Sequence, residues 1–333
     1  MPADSKATVR LAFLANLTIA AAKTAAGLLS GSSAMISEAA HSWADTLNEV
    51  FLITSLRKSG RPADAAHPFG YGKERFFWSL LAAFGIFVTG GLFSIYEGVH
   101  ALESGHRSIG TLELYLSYGV LAFSAIAEGS SLTRALRQVR SEAAANGRGF
   151  FEQFRRGDDP SVKTVVSEDS AAVIGLALAA GGLTLHKVTG SAAFDAAASI
   201  AIGVLLVAIA YGLGRDSKDL LIGEAADPEV RTEIFTLVSA MPEIDGVLEL
   251  LTMKIGPDDL LVAMKVDLTD DITGDEVEDL STRIDTEISA AVPSVRQVFV
   301  DATRPTGSQR LLADTVRYAN SPDDSVQPPA GLL

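Results

Sequence analysis

The chain has 333 residues, 48% of them hydrophobic, with 41 acidic and 27 basic side chains and no cysteine. Its mean hydropathy of +0.26 is too apolar for an average soluble domain, and the lack of cysteine excludes disulfides and thiolate metal sites. The formal charge of −14 is confined to the C-terminal third. Residues 1–214 carry 17 basic and 17 acidic side chains, whereas residues 215–333 carry 10 and 24, which excludes a nucleic-acid partner for that acidic part.

Six apolar segments follow one another, at about 9–30, 34–56, 77–100, 112–133, 162–185 and 193–213. Val9–Leu29 lacks a short apolar region with a small-residue cleavage site, so it reads as a retained span. Within it, Asn16 either bonds across helices or faces an ion path, and Lys23 is ambiguous between the two helix faces, with snorkelling as its plainer reading. The loop 57–75 carries five Lys/Arg and 134–163 carries seven, while the alternate connections carry none, Arg107 and Lys187. Positive-inside then places both termini in the cytoplasm, with the second helix running inward. Gly85, Gly90, Gly91, Gly175, Gly181, Gly182, Gly203 and Gly212 in the spans predict close helix contacts.

The second segment is where apolar length and chemistry meet. Ser33–Leu56 has the length of a membrane-spanning helix, yet Glu38, His41, Asp45, Asn48 and Glu49 lie inside it. His41, Asp45 and Asn48 are spaced i, i+4, i+7 and share one helix face. An ionisable group at that depth costs at least ~2.5 kcal/mol unless it meets a partner, water or an ion. A histidine nitrogen and a carboxylate one turn apart make half of a divalent-metal site, with zinc the first candidate. A structural His–Asp hydrogen bond between helices is the alternative.

The fifth segment, from about Asp159-Pro160, holds Glu168 and Asp169, which point about 100° apart on a helix. Asp169 lies roughly 15 Å from Asp159 and Asp45 roughly 18 Å from Arg57 at 1.5 Å per residue, which puts the two acids at similar depth. The basic loop 134–163 continues the fourth helix for a few turns and suits anionic headgroups.

Beyond Arg215 the pattern turns soluble. Asp227-Pro228 predicts an N-cap and a helix to about Met241. Gly246–Ile255 and Asp259–Leu268 read as a hairpin around Gly256-Pro257-Asp258, Thr273 with Glu276 as a capping box, and Ser294–Ala302 as a last strand. The order αββαβ predicts a small α+β, ferredoxin-like sheet with helices on one face, over residues 215–303. Residues 304–333 read as a flexible polar tail. The whole is expected to be an α-helical membrane protein, a six-transmembrane-helix bundle over residues 1–214 followed by this cytoplasmic domain.

SEAAHSWADTLNE, HPFGYGKERFFWSL, SEDSAAVIGL and LLIGEAADPEV, followed by αββαβ, together resemble the cation diffusion facilitator family over about residues 8–302. The Glu168-Asp169 pair looks most like the branch that includes vertebrate zinc transporter 9. The resemblance implies a homodimer that exports a cytoplasmic divalent metal, typically zinc, in exchange for protons. It implies a transport site between the second and fifth helices, with no cofactor beyond the transported ion. His41 and Asp45 match the first two ligands and Asp169 the second acid of the fifth helix. The position four residues before Asp169 is Val165, so either Glu168 replaces the missing ligand or three protein ligands act with water. An oxygen-rich set widens the choice to iron or manganese. Asp64 and His67 match two ligands of a second, loop site, but Tyr71 stands where a histidine would be; the other reading of His67 is a turn residue before Pro68. All five histidines (His41, His67, His100, His106, His186) precede residue 187, so the soluble domain has no imidazole ligand; Asp267, Asp270, Asp271 and Asp301 read as a solvated face. A channel would need a continuous polar pore, an intramembrane metalloenzyme a motif such as HExxH, which is absent, and a non-transporting metal-responsive partner subunit an altered fifth-helix site.

Overall fold

The structure is a computed structural model and describes residues 3–104, 110–145, 147, 149–156 and 160–304. The polar tail from residue 305, Arg107 of one connection and Asp159, the reference for the depth of Asp169, lie outside the described residues. The chain divides into two compact units. One contains the long helices up to Arg57 and then Phe77–Lys218. The other joins Lys58–Phe76 to the chain from Asp219 onward.

In the first unit, α1 (Ala3–Ser30) and α2 (Ser33–Ser59) are joined by a tight turn at Gly31, whose φ of 65° is the left-handed conformation that favours glycine. The third apolar segment becomes α3 (Glu74–Gly85), a π-helical stretch at Ile86–Leu92, and α4 (Phe93–Ser104) without a break between them. Then come α5 (Thr111–Ala145), the short α6 (Phe150–Arg156), α7 (Pro160–Thr189) and α8 (Ala193–Ile222). Of these, Glu74–Ser104, Val165–Thr189 and Ala193–Ile222 are, among the described residues, long and apolar enough to cross a membrane. The first two helices are less apolar because their interior carries Lys23 and the acids of α2.

The core of this unit is built of small and branched side chains, among them Ala26, Ala34, Met35, Ile86, Leu176, Leu183, Ile202 and Leu206. Large apolar side chains face outward instead, including Ile126, Tyr211, Leu112 and Val204. A surface of this kind suits lipid rather than water. Glycine contacts are selective. A Cβ on Gly203 would lie 2.7 Å from the Gly91 carbonyl, and one on Gly98 would lie 2.8 Å from the Ala196 carbonyl. The backbones of α8 and the π-helical stretch with α4 are therefore in close contact. Gly181 and Gly212 have nothing within 4 Å, so the expectation of tight packing does not extend to them. Asp195, in the first turn of α8, accepts from the Ser32 hydroxyl at 2.7 Å and from the Ser33 amide at 2.7 Å, which clamps the start of α2.

In the second unit, α9 (Pro228–Ser239) precedes β1 (Ile244–Lys254) and β2 (Leu260–Leu268), which pair antiparallel. The helix α10 (Gly274–Ala291) then crosses to β3 (Val295–Ala302), parallel to β2, for a sheet order of β1-β2-β3. Alternation along β2 sends Leu260, Val262, Met264 and Val266 to one face, where Ile234 and Val238 of α9 and Leu280, Ile284 and Ile288 of α10 cover them. Thr273 and Glu276 form the expected capping box. Asp227 stands at the N-cap of α9, but its side chain makes no cap hydrogen bond there; it accepts from Lys254 at 3.3 Å instead. The segment 58–76 lies against this sheet. A Cβ on Gly72 would lie 2.5 Å from the Ile255 carbonyl, and Phe69 meets Phe299 edge-on at 6.5 Å.

Candidate functional site

The 3.6-residue period of α2 brings Glu38, His41, Asp45 and Asn48 along one inner face. His41 is buried, and its Nε2 lies 3.6 Å from Asp45 Oδ2, beyond hydrogen-bond length. Both imidazole nitrogens and Asp45 Oδ1 are buried without a hydrogen-bond partner. On α7, Asp169 Oδ2 is likewise buried and unpartnered. One lone-pair nitrogen of His41, Asp45 Oδ1 and Asp169 Oδ2 are thus available to bind a cation, and α2 adds two further unpartnered oxygens, Glu38 Oε1 and Glu49 Oε2. Among the described residues no three of the acidic and histidine side chains already converge on one metal-holding point.

Glu168 does have a partner. Its Oε1 accepts from Asn48 Nδ2 at 2.8 Å, linking α7 to α2. Asn16 takes the cross-helix role, donating to Glu49 Oε1 at 2.9 Å. Val165 is exposed on α7 and offers no ligand atom. Lys23 does not snorkel: it is fully buried on α1, with Nζ 3.0 Å from Glu38 Oε2 and 3.1 Å from Glu128 Oε1. Its ammonium is enclosed by protein and paired with carboxylates of two other helices. Glu128 is the residue that sequence reasoning passed over. The signal was an acid inside the fourth apolar segment, the same signal that singled out α2.

Asp64 and His67 lie in the other unit, in the segment 58–76. Asp64 Oδ1 accepts from the His67 amide at 2.8 Å and Oδ2 from the Tyr71 hydroxyl at 2.7 Å. The His67 ring lies tilted against Tyr71 with centroids 4.2 Å apart, and the Arg61 guanidinium sits 4.3 Å over the Tyr71 ring. The Tyr71 hydrogen bond, helped by the His67 amide, holds the Asp64 carboxyl below its usual range, and the same bond raises the Tyr71 phenol. The loop is organised as a hydrogen-bonded turn. Asp267, Asp270, Asp271 and Asp301 form no metal-holding group among the described residues.

The profile described as "Cation efflux transmembrane domain" matches residues 9–222. The chain belongs to the cation efflux family. It is 32% identical over 245 residues to the proton-coupled zinc antiporter SLC30A9, mitochondrial, of Xenopus laevis, covering 74% of this chain and 43% of that protein. It is 34% identical over 263 residues to metal tolerance protein C4 of Arabidopsis thaliana, covering 79% and 57%. Against the manganese efflux system protein MneP of Bacillus subtilis it is 22% identical over 302 residues, covering 89% and 95%. The chain spans about half the length of the first two relatives. Family membership and the apolar helices make this a membrane protein.

Proposed function

We propose that this cation efflux protein exports divalent metal ions, zinc first, from the cytoplasm in exchange for protons. The ion binds between α2 and α7 at His41, Asp45 and Asp169, with Glu168 as the fourth ligand once it leaves Asn48. The observation that carries this reading is the set of buried atoms without partners: both His41 nitrogens, Asp45 Oδ1 and Asp169 Oδ2. Each such atom costs about 1–3 kcal/mol when left unsatisfied, and a divalent cation satisfies several at once. Metal binding at His41 requires a neutral imidazole, so each ion competes with a proton there. The relative named as a proton-coupled zinc antiporter supports zinc and proton exchange. The oxygen-rich ligand set and the relative named for manganese efflux support manganese or iron as a second reading.

In this reading all six long helical stretches span the cell membrane, with both termini and the αββαβ unit in the cytoplasm, and two copies pair as a homodimer. The loop charges support the orientation. The exposed Leu251 and Phe299 support pairing through the sheet unit. Transport into vesicles containing the purified chain tests the function, with zinc, manganese, iron and cadmium offered in turn. Zinc uptake is expected to dissipate an imposed pH gradient and to vanish in Asp45→Ala. Uptake that ignores pH on both sides would eliminate proton exchange, and full uptake by Asp45→Ala would eliminate the site.

A further inference from the structure

Among the described residues Lys23 is the largest fully buried side chain, and the proposed ion site gives it no role. Its Nζ is held by carboxylates from two other helices, Glu38 on α2 at 3.0 Å and Glu128 on α5 at 3.1 Å. The cluster is unbalanced, with one ammonium facing two carboxylates. Glu38 is itself 0% exposed, and its second oxygen, Oε1, has no partner. Space for that oxygen comes from α7, where a Cβ on Gly175 would collide with Glu38 Oε1. Two carboxylates from separate helices, one with a spare buried oxygen, are the ligand chemistry of a divalent cation. Glu38 also precedes His41 by one turn on the same face of α2.

We propose that Lys23 is a tethered cation seated in a second carboxylate station formed by Glu38 and Glu128, and that it holds the helix bundle to one divalent ion. The inference rests on the reading of His41, Asp45 and Asp169 as a divalent-ion site. An ammonium fixed by its own chain is present at an effective concentration that free ions do not match, so it fills the station permanently. It also lowers the charge of the pair from −2 to −1, which weakens the station's pull on an ion bound one turn away. Lys23→Met keeps the unbranched shape and removes the charge. The bare carboxylates then recruit a divalent ion of their own.

The test counts zinc and manganese ions bound per protomer of the full chain in detergent, by equilibrium dialysis with metal analysis. Lys23→Met is expected to bind one ion more than wild type. Lys23→Arg and the charge-restored Lys23→Met/Glu38→Gln are expected to match wild type. The readout is a difference, so it stands apart from the ion site itself. Wild type binding no ion would overturn the His41–Asp45–Asp169 reading, while a gain of one ion in Lys23→Met would still uphold the station. An unchanged count in a folded Lys23→Met overturns the station. If Lys23→Met cannot be isolated, Lys23→Met/Glu38→Gln is expected to be isolable because its net charge is restored, and its failure too would overturn the proposal.

Discussion

At the scale of single residues, Glu168 and Asp169 differ in their partners, and the proposed ion site turns on that difference. Asp169 keeps an unpartnered buried oxygen, whereas Glu168 is bonded to Asn48 at 2.8 Å. In the proposed site, Glu168 would have to exchange the Asn48 amide for the ion. Glu168→Gln is expected to weaken zinc binding about tenfold, or about 1.4 kcal/mol, close to the effect of Asp169→Asn. Calorimetric titration of both variants measures this. Full zinc affinity in Glu168→Gln, with a lowered melting temperature, would return Glu168 to helix bonding alone. Gly175 offers a second residue-scale prediction. A methyl there meets the Glu38 carboxylate, which Lys23 holds in place, so Gly175→Ala is expected to cost about 1–3 kcal/mol of stability. Thermal melting in detergent reads it, and an unchanged midpoint would show that Glu38 is free to move.

At the scale of elements, helix ends and helix interiors obey different rules here. The α10 start is local: Glu276 accepts from the Thr273 amide at 2.7 Å, and the Thr273 hydroxyl accepts from the Glu276 amide. The backbone bond from Thr273 holds the Glu276 carboxyl below its usual range. A carboxyl lowered on folding contributes stability that is present above its unfolded value, about 4.3, and is lost as pH falls through the lower folded value. The urea midpoint of wild type is therefore expected to exceed that of Glu276→Gln at pH 7, and the gap is expected to close at strongly acidic pH. A pH-independent gap would assign the effect to packing instead. In the third apolar segment, the π-helical turn at Ile86–Leu92 coincides with Gly90 and Gly91, where α8 approaches at Leu206, Val207 and Gly203. The wider turn occurs where side-chain bulk is missing and a neighbouring backbone comes close.

At the scale of the molecule, the two units rest on opposite packing economies. The helical unit keeps small residues inside and large apolar ones outside, while the sheet unit buries its branched side chains between one sheet face and two helices. Ile284, fully buried in the latter, is expected to cost about 2–5 kcal/mol when cut to alanine, read from the urea transition of the sheet unit in the full chain. The proposed homodimer is expected to survive chelator in light scattering of the detergent-solubilised chain. No histidine follows His186, and the αββαβ unit exposes Leu251 and Phe299 for packing. Dissociation by chelator alone would mean that metal bridges the copies.

The order of elements was legible in the sequence because each element reports a local pattern. Apolar length marked the long helices, the β-rich runs on either side of Gly256-Pro257-Asp258 marked β1 and β2, and the Thr273–Glu276 spacing marked the start of α10. His41 and Asp45 were legible for the same reason, as polar groups one turn apart in an otherwise apolar helix. What the sequence does not encode locally is which helix faces which. Lys23 meets Glu128 across 105 positions and Asn48 meets Glu168 across 120, so both contacts exist only once the helices have packed. That is why snorkelling was a reading open to Lys23, and why Glu128 was passed over. The segment 58–76 reads as a basic loop by composition, and only the fold sets it against the sheet, because the missing side chain at Gly72 lets two backbones touch. Local periodicity determines elements; long-range packing determines which buried charges find partners and which atoms are left without one.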